Sequence, residues 1–167
     1  MTISSARITL KIDVVQTQTS GVSEVEATTA IKDVLDFTNG TGADQASALW
    51  SSTRTLAASA TEDLDFSGSL TDPFGTTVAA DRIKAIYVSA AAANTNDVNV
   101  QRSSANGVPA FLAASDGIPV SPGGKFILVA QNANGINVTA GTGDKLTFTN
   151  SAAGTSVTYT IAVLYTV

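Results

Sequence analysis

The last eleven residues read Val157-Thr158-Tyr159-Thr160-Ile161-Ala162-Val163-Leu164-Tyr165-Thr166-Val167. Val157, Tyr159, Ile161, Val163, Tyr165 and Val167 fall on one side of a period-two pattern, with Thr158, Thr160, Ala162 and Thr166 on the other. Successive side chains of a strand point to opposite faces, so alternation of this length marks a strand with one buried face. The other end of the chain repeats the pattern. Over Ala6–Gln18, Ile8, Leu10, Ile12 and Val14 oppose Arg7, Thr9, Lys11 and Asp13. The two segments predict a first and a last strand that neighbour each other in a closed β-sandwich.

Shorter candidates lie between them. Leu64 and Phe66 alternate with Asp63 and Asp65, Val98 and Val100 with Asn99 and Gln101, Ile136 and Val138 with Asn137 and Thr139, and Leu146 and Phe148 with Lys145 and Thr147. Arg82–Ser89 holds Ile83, Ile86, Tyr87 and Val88, and Phe126–Val129 is the continuous apolar run of a strand buried on both faces. Asn39-Gly40, Asn106-Gly107 and Asn134-Gly135 tolerate positive φ and suit tight hairpins. Pro73-Phe74-Gly75 and Pro122-Gly123-Gly124 add further breaks. Short strands spaced by roughly 8–12 residues indicate a sandwich or a barrel, an all-β chain in either case. Val22–Phe37 follows neither period and reads as two strands or a short helix, and Ala43–Trp50 leaves room for one helical turn.

The 167 residues suit a single domain, 1–167, with the segment Met1–Ser5 as a flexible N-terminal arm. A chain of this size buries about 70% of its unfolded surface, enough for a core without disulfides or metals. There is no histidine and no cysteine. A Ser-His-Asp triad is therefore excluded, as is a disulfide framework. Charged residues make up only 14%, and the net charge is −5. Lysines and arginines are scattered singly, apart from Arg82 and Lys84, so no cluster is available to displace counterions from DNA or RNA. No basic leader followed by an apolar core opens the chain, and no apolar run approaches the ~20 residues of a membrane span. This profile favours a structural or binding module over an enzyme, made in the cytoplasm and staying there or leaving by assembly into something larger, without membrane or nucleic-acid partners.

Glu62, Asp63, Asp65 and Asp72 form the densest set of carboxylates. Their spacing is not that of an EF-hand, and Asp63 and Asp65 share the face opposite Leu64 and Phe66. A solvated face is the expectation, with no metal ligand, no catalytic residue and no cofactor assigned. A carboxylate pair for glycoside hydrolysis would need an aromatic-lined cleft, for which one Trp and three Tyr offer little. Gly40-Thr41-Gly42 and Gly141-Thr142-Gly143 lack the context of a phosphate loop and read as turns. Asn137-Val138-Thr139 matches a glycosylation acceptor by chance inside a strand. Trp50 reads as a core or interface anchor.

A longer set of segments resembles a known group of proteins. It comprises Asn39-Gly40-Thr41-Gly42-Ala43-Asp44-Gln45-Ala46, Leu49-Trp50-Ser51-Ser52-Thr53-Arg54-Thr55-Leu56, Thr61–Asp72, Phe74-Gly75, Arg82–Ile86, Pro122–Phe126 and Gly141–Leu146. It resembles the small β-rich virion structural proteins of tailed bacteriophages, and covers about two-thirds of the chain. The resemblance implies an antiparallel β-sandwich of jelly-roll type. It further implies a capsid decoration (cement) protein, a homo-oligomer, most often a trimer, bound to the major capsid protein on the particle surface. The alternative it leaves is a tail, neck or fibre module recognising a receptor glycan through loop residues such as Asn94, Asn96 and Asp97.

Overall fold

Strands that can bury only one face must pair and then stack, and this chain does so almost throughout. The computed structural model describes residues 2–167. It is 61% strand, with no helix among the described residues. The strands are β1 (Ser5–Ser20), β2 (Ser23–Asn39), β3 (Gln45–Ala46), β4 (Ala48–Leu56), β5 (Thr61–Asp65), β6 (Ser67–Thr71), β7 (Thr77–Ala79), β8 (Arg82–Ala90), β9 (Val98–Arg102), β10 (Gly117–Val120), β11 (Lys125–Val129), β12 (Ile136–Asn137), β13 (Lys145–Asn150) and β14 (Val157–Thr166).

Two sheets form the body. One has the order β11-β8-β14-β4, with β12 also beside β8; the other has the order β10-β9-β13-β5. Every pairing within them is antiparallel. Their inner faces share one apolar core. Counting β4, β5, β8, β9, β10, β11, β13 and β14 as one to eight, the sheets read 6-3-8-1 and 5-4-7-2.

The last strand is central, as its alternation predicts for a strand with one buried face. Val157, Tyr159, Ile161, Val163 and Tyr165 are buried, and β14 is paired on both edges, with β4 and β8. Across the core Tyr159 stacks on Phe148 with ring centroids 4.7 Å apart, and Trp50 meets Phe66 edge-on at 6.0 Å. Trp50 also donates its indole N–H to the Thr71 carbonyl at 3.2 Å, so the lone tryptophan is a core anchor. On the outer face hydroxyls replace apolar groups: Thr53 faces Thr160 at 3.0 Å and Thr55 faces Thr158 at 3.1 Å.

The first strand departs from expectation. β1 does not neighbour β14 but pairs along its whole length with β2, from Ser5↔Thr38 to Ser20↔Ser23. Within Val22–Phe37, everything from Ser23 on is one strand, neither two strands nor a helix, and Gln45–Trp50 supplies β3 and the start of β4. The hairpin closes on Gly21-Val22, with Gly21 at φ 65°. Glycine first and a negative φ second is the arrangement of a II′-type turn, whose twist suits two strands. None of the three Asn-Gly pairs makes a two-residue hairpin; they sit in longer connections. β11 carries the apolar run Phe126–Val129, yet all four residues are only half-buried, because β11 is an edge strand paired with β8 alone. Of the expected arm, Met1 lies outside the described residues; Ile3 donates its N–H to the Ser47 carbonyl at 3.0 Å, and Ser5 opens β1.

Facing along β14 is open to direct test. Ile161→Ala empties a fully buried position and is expected to cost about 2–5 kcal/mol. Thr160→Ala loses an exposed hydroxyl pair and should cost under about 1 kcal/mol. Urea midpoints of the two variants check this, and equal losses would reverse the assignment.

Candidate functional site

The largest unsatisfied surface of the chain is the β1–β2 hairpin. Strands of 16 and 17 residues at ~3.3 Å per residue make a ribbon about 50 Å long. In an antiparallel pair, residues opposite each other share a face. One face therefore carries Ile8 with Leu35, Leu10 with Asp33, Ile12 with Ile31, and Val25 with Gln18. The other is mixed, carrying Arg7 with Asp36, Lys11 with Lys32 and Thr17 with Glu26, and also the exposed Val34 and Val15. Only the root of the apolar face is covered. Ala6, Ile8, Leu35 and Phe37 pack with Ala85, Val129 and Leu164 on the outer face of the sandwich, forming a second, smaller core. Beyond it the ribbon leaves the body, and Ile12, Ile31 and Val25 are 57%, 57% and 60% exposed.

The root is held by polar anchors as well. Lys84 on β8 is buried, and its ammonium donates to the carbonyls of Gly42 (2.9 Å), Asn132 (2.6 Å) and Ala133 (3.4 Å). It thereby ties the segment after β2 to the connection after β11. Burial, and secondly the charge of Arg82, hold its pKa below the usual lysine value. Gly40-Thr41-Gly42 belongs to this joint: Gly42 donates its N–H to Gln45 Oε1 at 2.8 Å, and Gly40 sits at φ 145° with no room for a Cβ against that side chain.

Where β1 separates from the sandwich, a cleft of about 560 Å³ opens. β1 forms one wall; Leu49, Tyr87, Ile127 and Ala162 on the outer face of the sheet form the other. Arg7 and Lys125 stand at its rim. β1 is an edge strand, so the backbone along this wall has no strand partner on that side. Nothing in the sequence marked this cleft, since its walls come from five strands.

The carboxylates are not gathered into a site. Glu62 turns inward, accepting the Tyr159 hydroxyl at 2.8 Å and Arg54 Nε at 2.7 Å. Burial, reinforced by this bond, raises the Tyr159 pKa far above its ordinary value, and the pairing with Glu62 raises that of Arg54. Asp63 is exposed and accepts the Thr147 hydroxyl at 2.6 Å. Asp65 accepts the Ser67 N–H at 2.9 Å. Asp72 is buried and accepts from Phe74 N and Thr76 N at 2.8 and 2.9 Å, holding the turn between β6 and β7. The solvated-face expectation thus describes Asp63, while its neighbours hold turns and an ion pair. Among the described residues no three acids converge as a metal cluster would require.

The loop residues named for glycan recognition are engaged within the fold. Asn94 donates to the Thr158 carbonyl at 2.9 Å and accepts from its N–H at 2.8 Å, extending the sheet edge by one side chain. Asn96 donates to Asn150 Oδ1 at 3.0 Å. The buried Asn150 donates in turn to the Ala57 and Thr155 carbonyls at 2.9 and 2.8 Å. Asp97 receives the Ser151 hydroxyl oxygen on its N–H at 2.9 Å. Three connections are knitted together by amides whose partners, Thr155 excepted, lie more than fifty residues away.

No protein-family model matches the chain, and neither a curated protein nor a solved structure matches it.

Two measurements probe these anchors. Lys84→Met strands three carbonyls at the ribbon root and is expected to lower stability by about 1–3 kcal/mol. Tyr159→Phe should cost about 2 kcal/mol at neutral pH, through the lost bond to a carboxylate. A phenol held neutral in the fold keeps its proton while the unfolded chain loses it above about pH 10. Its contribution is therefore full below that pH and falls above it, by about 1.4 kcal/mol per unit. The gap between wild type and Tyr159→Phe should narrow between pH 9 and pH 11 in urea titrations (both pH values approximate brackets of the phenol range).

Proposed function

We propose that this chain is a structural, non-enzymatic protein of a tailed-phage particle, a decoration (cement) protein on the capsid surface that bridges major capsid subunits as an oligomer, most simply a trimer. The observation that carries the reading is the ribbon. A two-stranded ribbon with one apolar face is marginal in water by itself, so a chain that projects one is built to lie against other protein. The strand order 6-3-8-1 and 5-4-7-2 supports the jelly-roll part of the reading, since two successive Greek keys wind eight strands into two sheets in this order. Jelly rolls recur in viral capsid proteins and also in lectins, so the fold supports the particle context without choosing the role. The resemblance of Asn39–Leu146 to phage virion proteins favours the particle context and leaves a tail, neck or fibre module as the alternative role.

In this role the protein works by adding buried interface between capsid subunits that packaged DNA pushes apart. Low surface charge suits such contacts, whose centres are depleted in charge. Purified protein mixed with undecorated capsids should sediment with them, survive moderate salt in doing so, and raise the temperature at which they open. Protein that stays in the supernatant, and labels tails or host cells instead, would replace the decoration role by that of a tail module.

A further inference from the structure

The cleft beside β1 and the outer half of the ribbon are complementary. The cleft offers an unpaired strand edge on one wall, apolar side chains on the other, and the exposed cation Lys125, while Arg7 is already paired with Asp36. Its occupant should be extended, apolar on alternate residues, and acidic on the others. Ser23-Glu24-Val25-Glu26-Ala27-Thr28-Thr29-Ala30 of β2 has this character. Val25 and Ala27 lie on the apolar face of the ribbon, Glu24 and Glu26 on the other, and Gln16 to Ala30 includes no cation. The ribbon projects away from its own cleft, so it cannot fold back into it. We propose that the ribbon of a second copy of this chain seats there, with Val25 and Ala27 against Tyr87, Ile127 and Leu49, and Glu24 and Glu26 toward Lys125.

Area favours a closed exchange over a single contact. A ribbon about 10 Å wide, seated over about 30 Å of its length, covers about 300 Å² on each side. One such contact is too small for a stable complex. A reciprocal pair makes it twice and reaches about 1,200 Å² in all, the lower end of the stable range, and a closed ring of three gains more. The copy-to-copy contact deepens the oligomer part of the reading above, and it requires no capsid.

The test therefore uses the purified full chain alone, by sedimentation velocity across a concentration series. The expected result is a dimer or closed ring, not the 16.9 kDa monomer. Val25→Asp and Lys125→Glu, both at exposed positions, should each weaken association at least tenfold while far-UV circular dichroism and the urea midpoint stay unchanged. Glu24→Lys with Glu26→Lys, added to Lys125→Glu, should restore it. Because the chain has no cysteine, Val25→Cys mixed with Ile127→Cys should cross-link between copies on oxidation. A monomer at all concentrations would overturn the proposal, and so would an oligomer indifferent to both substitutions or one not restored by the charge reversal. Failure to bind capsids by a protein that still associates this way would overturn only the decoration role.

Discussion

Everything in this molecule is hung on β14. It pairs along most of its length with two others, as β8 and β13 do, while one face fills the core and the other carries contacts of its own. Its inner face supplies Tyr159 to the Phe148 stack and to Glu62. Its backbone carbonyls accept further N–H bonds: Tyr165 from Ser47, Thr166 from Asp81 and Thr158 from Ala91. Its outer face supplies Leu164, the platform on which the ribbon root rests. Its partners on β4 lie about a hundred residues earlier, so the core and the seat of the ribbon both depend on contacts far apart in sequence. Such non-local closure is a slow way to fold, since loop entropy is lost before the contacts that offset it form.

Much of this was legible because burial on one face writes itself into the sequence as alternation. The inner faces of β5, β9, β13 and β14 follow the expected residues: Leu64, Val98, Val100, Leu146, Phe148 and Ile161 are all buried. The same signal misled at β1. Ile8, Leu10, Ile12 and Val14 alternate as a core strand does, but of these, among the described residues, only Ile8 is packed against the body. Alternation reports that a face is meant to be covered; it does not say by what. The run Phe126–Val129 failed for a related reason. Unbroken apolarity usually means sheet on both sides, yet here one side of β11 borders the cleft and its edge is open.

The polar framework was not legible at all. Asn94, Asn96 and Asn150 look like loop residues, and composition gives loops to solvent and ligands. Their roles depend on partners such as Thr158 and Ala57, which only the closed fold brings near. Lys84 looked like one of nine scattered cations but is a buried pin between two connections. A buried ammonium is costly unless its donors are met, and three carbonyls meet them here. The rigid root that results matters for the ribbon: a projecting hairpin presents a defined surface only if its base cannot swivel.

The charges of the ribbon then decide which side of it is available. Lys11 and Lys32 stand directly opposite each other on the polar face, an arrangement that weakens a strand pair. Asp13 neutralises Lys11 in part, and Arg7 is bonded to Asp36 at 2.6 Å, but Lys32 brings a further positive charge to the same patch. Stacking two ribbons by these faces in parallel would set lysines on lysines. Long exposed edges invite indiscriminate pairing, and charge on one face is a standard means of limiting it. The apolar face carries the single charge Asp33, near the root, and is free of charge toward the tip. With the lysine pair on one face and no charge toward the tip of the other, the proposed copy-to-copy contact is favoured through the uncharged face. The cost in strand-pair stability at Lys11 and Lys32 is thus the means by which an otherwise adhesive hairpin is made selective.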